Sequence, residues 1–179
     1  DRPLQVGNGE FAATIDATGL QGLYGRNMAQ WGWHSYPLPE GTDPAQFRYE
    51  PFDFYGRKLP YPTSAEGQEI LFNWLRENPH RFNLGRLALL LDGKYLKADD
   101  LHNVRQELDL WRGLITTTYT LDGQSVRVEA RSDPKLDALA VQILSPLLTT
   151  RRLSIEIAFP YGYHDVPAGV WDKPDAHIS

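Results

Sequence analysis

The stretch "LITTTYTLDGQSVRVEARS", residues 114–132, constrains the fold more than any other. Ile115, Thr117, Tyr119 and Leu121 alternate with polar neighbours up to Asp122-Gly123, and Val126, Val128 and Ala130 alternate beyond it. A helix would scatter these side chains around its circumference, whereas an extended chain gathers every second one on a single face. Asp-Gly suits the tight turn that joins two antiparallel strands. The spacing therefore predicts a hairpin. The same period recurs in Leu87, Leu89 and Leu91 before Asp92-Gly93, in Val104, Leu108 and Leu110, in Leu139, Val141 and Ile143, and in Leu153, Ile155, Ile157 and Phe159. Near the start, Phe11, Ala13 and Ile15 alternate, Asp16-Ala17-Thr18-Gly19 reads as a type I turn, and Leu20 to Tyr24 reads as the returning strand. Strands joined by short turns, with a single convincing helix, predict a mainly β protein, an antiparallel β-sandwich.

The helix is expected in "TSAEGQEILFNWLRENP". Thr63 and Glu66 fit a capping box, Ile70, Leu71, Trp74 and Leu75 fall on one face, and Asn78-Pro79 ends it. Residues 26–62 read as one long irregular loop, because prolines at 37, 39, 44, 51, 60 and 62 break regular structure. The segment is nevertheless rich in aromatics, which disordered chains lack. Loops of this length in compact domains tend to be functional.

With 179 residues, the chain can enclose one sizeable core. The tail from Tyr161 loses periodicity, so residues 1–179 are expected to form one sandwich domain that is incomplete and continues past Ser179. A net charge of −5, with Arg151-Arg152 as the longest basic cluster, argues against nucleic acid as a partner. No apolar run approaches the roughly 20 residues of a membrane span. Cysteine is absent, which rules out disulfides and thiolate chemistry. That absence fits a bacterial periplasm as well as a cytoplasm and does not decide location; a periplasmic or extracellular setting is expected, with the cytoplasm left open.

"QWGWHSYPLPEGTDP", residues 30–44, is the strongest candidate for function. Sugar rings offer flat C–H faces that stack on aromatic rings, and their hydroxyls need polar partners. Trp and Tyr join a large apolar body to a polar handle, and binding groups favour loops held on rigid sheets. Trp31, Trp33, His34 and Tyr36 are therefore the candidate substrate-binding residues. The competing role for them is packing of the loop onto the sheet. Glu50, Asp53, Asp165, Asp172 and Asp175 are the acidic residues that a catalytic carboxylate pair could draw on, and none has a setting that suggests a raised pKa. The histidines at 34, 80, 102, 164 and 177 lack metal-ligand spacing, and His164-Asp165 is a lone pair. Gly7-Asn8-Gly9 lacks the Lys-Ser/Thr of a phosphate loop and reads as a turn. Ser132 and Ser145 lack a nucleophile-elbow context. No catalytic residue, metal or cofactor is expected in this chain.

Taken together, "LQVGNGEFAATIDATGLQGL", "QWGWHSYPLP", "RFNLGRLALLL" and "QELDLWRGLITTTYTLDGQSVRVEARSDPKLDALAVQI" resemble the N-terminal β-sandwich of glycoside hydrolases with a six-hairpin α/α-barrel. That group includes maltose phosphorylase-like and α-L-fucosidase-like enzymes. The resemblance implies a supersandwich similar to the galactose-mutarotase fold, packed on a C-terminal α/α-barrel of the same protein that carries the catalytic groups. It also implies an oligosaccharide substrate, with "WGWHSYP" at the mouth of the barrel. Two alternatives stay open: a free-standing carbohydrate-binding module, and a purely structural brace or homodimer surface.

Overall fold

The protein, described by a computed structural model over residues 3–163 and 169–177, is mainly antiparallel β. In chain order the elements are β1 (Leu4–Gly7), β2 (Phe11–Ile15), β3 (Asn27–Ala29), β4 (Trp33–His34), β5 (Glu50–Phe54), β6 (Arg57–Tyr61), α1 (Glu69–Glu77), β7 (His80–Arg81), β8 (Arg86–Leu91), β9 (Lys94–Tyr95), β10 (Leu101–Asp109), β11 (Leu114–Leu121), β12 (Gln124–Ser132), β13 (Leu139–Leu144), α2 (Pro146–Thr149) and β14 (Leu153–Ala158).

One layer is the four-stranded meander β10-β11-β12-β13. Its central hairpin pairs Tyr119 with Val126 and Thr117 with Val128, the register set by Asp122-Gly123, where both residues take positive φ. The inner face of β11 carries Ile115, Thr117, Tyr119 and Leu121, all buried, as their period of two requires. The opposite layer is made of two three-stranded sheets, β1-β2-β3 and β14-β8-β9. The first packs Val6, Phe11, Ala13, Ile15 and Ala29 on Ile115 and Ala130. The second packs Leu89 and Leu153 on Tyr119, Leu121, Val126 and Val128. The result is an antiparallel β-sandwich.

A buried polar link ties the two smaller sheets together. Gln21 donates its backbone N–H to Leu87 O (2.9 Å) and accepts the Leu87 N–H on its side-chain oxygen (3.0 Å), so it takes the place of a strand residue beside β8. The Gln21 and Asn27 amides bond each other reciprocally at 2.7 and 2.8 Å, and Asn27 also donates to Gly85 O. Next to this link, the Asp16 carboxylate is buried and fully engaged. One oxygen accepts the Thr18 N–H and hydroxyl (2.8 and 2.6 Å), and the other accepts the N–H groups of Leu23 and Tyr24 (2.6 and 2.8 Å). Gly19, at φ +80°, lies against Val128, where a Cβ would come within 2.5 Å of that side chain. Leu20 then enters the core.

Several expectations are corrected. Leu20 to Tyr24 is not a returning strand. The hairpin partner of β2 is β1, and residues 16–24 fold around Asp16 because its carboxylate offers their N–H groups a better acceptor than a neighbouring strand. Residues 26–62 are not one irregular loop. They contain β3, β4 and the hairpin β5–β6, in which Pro51 faces Pro60. Two strands have two free edges, so prolines with their missing N–H turned outward cost no ladder bond. The capping box does not form: α1 starts at Glu69 after Gly67 (φ +66°), and the Thr63 hydroxyl bonds Glu50 instead. Leu110 lies beyond β10 and is exposed, and Phe159 lies beyond β14. His164-Asp165 falls outside the described residues. Among those described, no helix is long and apolar enough to cross a membrane.

Asp16→Ala would strand two buried donors of Thr18 and the part-buried N–H groups of Leu23 and Tyr24, and is expected to lower stability by about 3 kcal/mol, a fall in Tm of roughly 6–12 °C for a domain of this size. Thermal unfolding followed by circular dichroism checks it. A second expectation concerns pH. Arg152 bonds both Asp92 and Asp122, the residues that open the two Asp-Gly turns, and its hydrogen bond holds the Asp92 carboxyl below the usual carboxylate range. A depressed folded pKa adds stability that is present above the unfolded value and lost as pH falls through the folded one. The Tm difference between the wild type and Arg152→Met should thus be larger at neutral pH than in acid.

Candidate functional site

Two turns, far apart in sequence, meet at one carboxylate. In the first, between β1 and β2, the Asn8 side-chain oxygen accepts the N–H groups of Glu10 (2.9 Å) and Phe11 (2.7 Å). Gly9, at φ +98°, completes the turn, as the Gly-Asn-Gly reading expects. In the second, after β3, Gly32 N–H bonds Ala29 O, and Gly32 sits so close to Leu84 that a Cβ would come within 2.8 Å of it. Asp137 lies between them. One of its oxygens accepts from the Asn8 amide (3.1 Å), and the other accepts the Trp31 indole N–H (2.7 Å).

Polar groups line the ground beside Trp31. Gln30 bonds the Glu10 carboxylate through its side chain and Glu10 O through its backbone N–H. The Arg81 guanidinium donates to Ala29 O and Gln30 O. Gly9, Glu10, Met28, Gln30 and Arg81 edge a shallow depression here. Trp31 and Trp33 leave 63% and 52% of their surface to solvent, far more than core packing would allow.

His34 and Tyr36 behave differently. β4 pairs with β7, which sets His34 opposite His80. The His34 ring lies 4.6 Å from Phe82 and 5.3 Å from Tyr36 between centroids. Tyr36 is tied down by a bond from its N–H to the Asn78 side chain (3.2 Å) and one from its hydroxyl to Glu77 O (3.0 Å). Trp74 on α1 donates to Pro37 O. Of the four candidate residues, then, the two tryptophans face outward, while half-buried His34 and Tyr36 anchor the segment to α1 and β7. His80, which the spacing did not single out, is buried with Nε2 unbonded.

The other candidate carboxylates do not join this site. Glu50 accepts from Thr63, and Asp53 accepts Gly56 N–H within the β5–β6 turn. Asp172 and Asp175 lie exposed in the tail, and Asp165 lies outside the described residues. Among the described residues, no three His, Cys, Asp or Glu side chains cluster as metal ligands would. The residues missed by sequence reasoning are Asn8, Glu10, Arg81 and, above all, Asp137. "SDPKLD" signals a turn, and Asp133 indeed caps Lys135 and Leu136, whose N–H groups hold its carboxyl below the usual range. Nothing local signals that Asp137 reaches residues 106 and 129 positions away. No protein family, curated protein or solved structure matches the chain.

Asp137→Ala should free the Trp31 indole while leaving the core intact. The expected result is stronger quenching of tryptophan fluorescence by acrylamide with a Tm change under about 3 °C. Unchanged quenching would mean that Asp137 does not hold Trp31.

Proposed function

We propose that this chain is the non-catalytic N-terminal sandwich of a carbohydrate-active glycoside hydrolase or phosphorylase, bracing a catalytic α/α-barrel and lending the Trp31–Trp33 surface to its sugar pocket. The observation that carries the reading is the meeting of the Asn8–Glu10 turn and the Trp31 turn on Asp137, with Trp31 and Trp33 exposed and Glu10, Gln30 and Arg81 edging a shallow depression in the same turns and strands. Indole faces suit the C–H faces of a pyranose, and the neighbouring carboxylate, amide and guanidinium suit its hydroxyls. "GNGEFA" and "QWGWHSYPLP", two of the stretches behind the family resemblance, are the two that meet there.

Exposure of both indoles in the chain by itself also favours the alternative, a carbohydrate-binding module. The two part on simple grounds. In the preferred reading the isolated chain hydrolyses nothing, and Trp31→Ala or Trp33→Ala in the complete enzyme lowers kcat/KM about tenfold or more with an unchanged Tm. In the alternative, the isolated chain binds oligosaccharides with an affinity that the same substitutions abolish. Full activity in both variants would remove these residues from the pocket.

A further inference from the structure

We propose that two copies of the chain pair face to face through their β5–β6 hairpins. All ten residues of the hairpin's two strands are exposed. Its register sorts them into two faces. Pro51, Pro60, Asp53 and Lys58 lie on one, and Phe52, Phe54, Leu59, Tyr61, Glu50 and Arg57 on the other. A two-stranded hairpin is marginal in water unless an apolar face packs on something. Here that face is apolar: Phe52 and Tyr61 have ring centroids 5.7 Å apart, and Phe52, Phe54 and Tyr61 are each about half exposed. Among the described residues, no third strand pairs with the hairpin, and its large apolar side chains stay exposed.

The edges cannot recruit the cover. Tyr55 and Gly56, both at positive φ, form a two-residue turn, so Phe54 and Arg57 exchange backbone bonds and every second pair inward does the same. Pro51 and Pro60 then stand at the outward-facing positions of both edges, where they have no N–H to offer an added strand. Only the aromatic face is adhesive.

That face is complementary to itself. Its rows run Glu50/Tyr61 at the base, Phe52/Leu59 in the middle and Phe54/Arg57 at the tip. A two-fold axis through the middle row lays each tip row on the other copy's base row. Each Arg57 then meets the partner's Glu50 carboxylate and Tyr61 ring, and the phenylalanines meet at the centre. Stacking tip on tip would instead bring the two arginines together. Charge thus selects a second copy in one orientation. This pairing is independent of the carbohydrate reading.

Sedimentation equilibrium of the chain tests it. The wild type should dimerise with concentration, and Phe52→Ser with Phe54→Ser should leave a monomer whose Tm is unchanged. Glu50→Arg and Arg57→Glu should each weaken the dimer about tenfold, and together should restore it to within about threefold. A wild type that stays monomeric, or a dimer indifferent to these substitutions, overturns the proposal. A monomer that loses oligosaccharide binding with the phenylalanine pair overturns it too, reassigning the face to sugar.

Discussion

The sandwich depends on a few buried polar bonds in residues 16–27. Apolar burial supplies most of the driving force, but it is indifferent to which sheet lies beside which. The Gln21–Asn27 amide pair and the Asp16 carboxylate are not indifferent. Each must find its partners or carry the cost of an unsatisfied buried group, on the order of 1–3 kcal/mol apiece. Gln21 beside Leu87 and Asn27 on Gly85 are satisfied in one relative placement of the two small sheets, so this link sets a placement that Leu and Val packing alone would leave loose.

The candidate site inherits its shape from that placement. β3 continues from Asn27 into the Trp31 turn, and β2 begins where the Asn8 turn ends. Once β1-β2-β3 is seated on the meander, both turns lie over the β12–β13 connection that carries Asp137. A carboxylate on one layer can then hold two turns of the other. The aromatic content of residues 30–36 is thereby divided: Tyr36 and His34 spend their surface on α1 and Phe82, and Trp31 and Trp33 keep theirs free.

What could be read in the sequence follows the range of the forces involved. Period-two patterns and Asp-Gly turns act over a few residues, so the meander, the β8–β9 turn and the mainly β class were legible. The misreadings occurred where a longer-range bond outweighed a local preference. Asp16-Ala17-Thr18-Gly19 does turn, yet the chain after it wraps the Asp16 carboxylate and gives Gln21 to β8. Thr63 has a capping residue's chemistry, yet Glu50 engages it. Pro51 and Pro60 argue against a strand until they are seen to face one another. In the site, the exposed tryptophans were foreseeable from composition and Asp137 was not, because a lone Asp after a Lys-Leu pair looks like any solvated turn residue.

The central claim is that the sandwich exists to hold Trp31 and Trp33 against a sugar. The five tryptophans of this chain, at 31, 33, 74, 111 and 171, give indole N–H resonances that single substitutions assign within the complete protein, so each reports on it separately. Titrating the complete protein, labelled with nitrogen-15 at tryptophan, with an oligosaccharide panel should move the Trp31 and Trp33 signals and leave Trp74 and Trp111 in place. Sugar binding that leaves Trp31 and Trp33 unmoved would contradict the account.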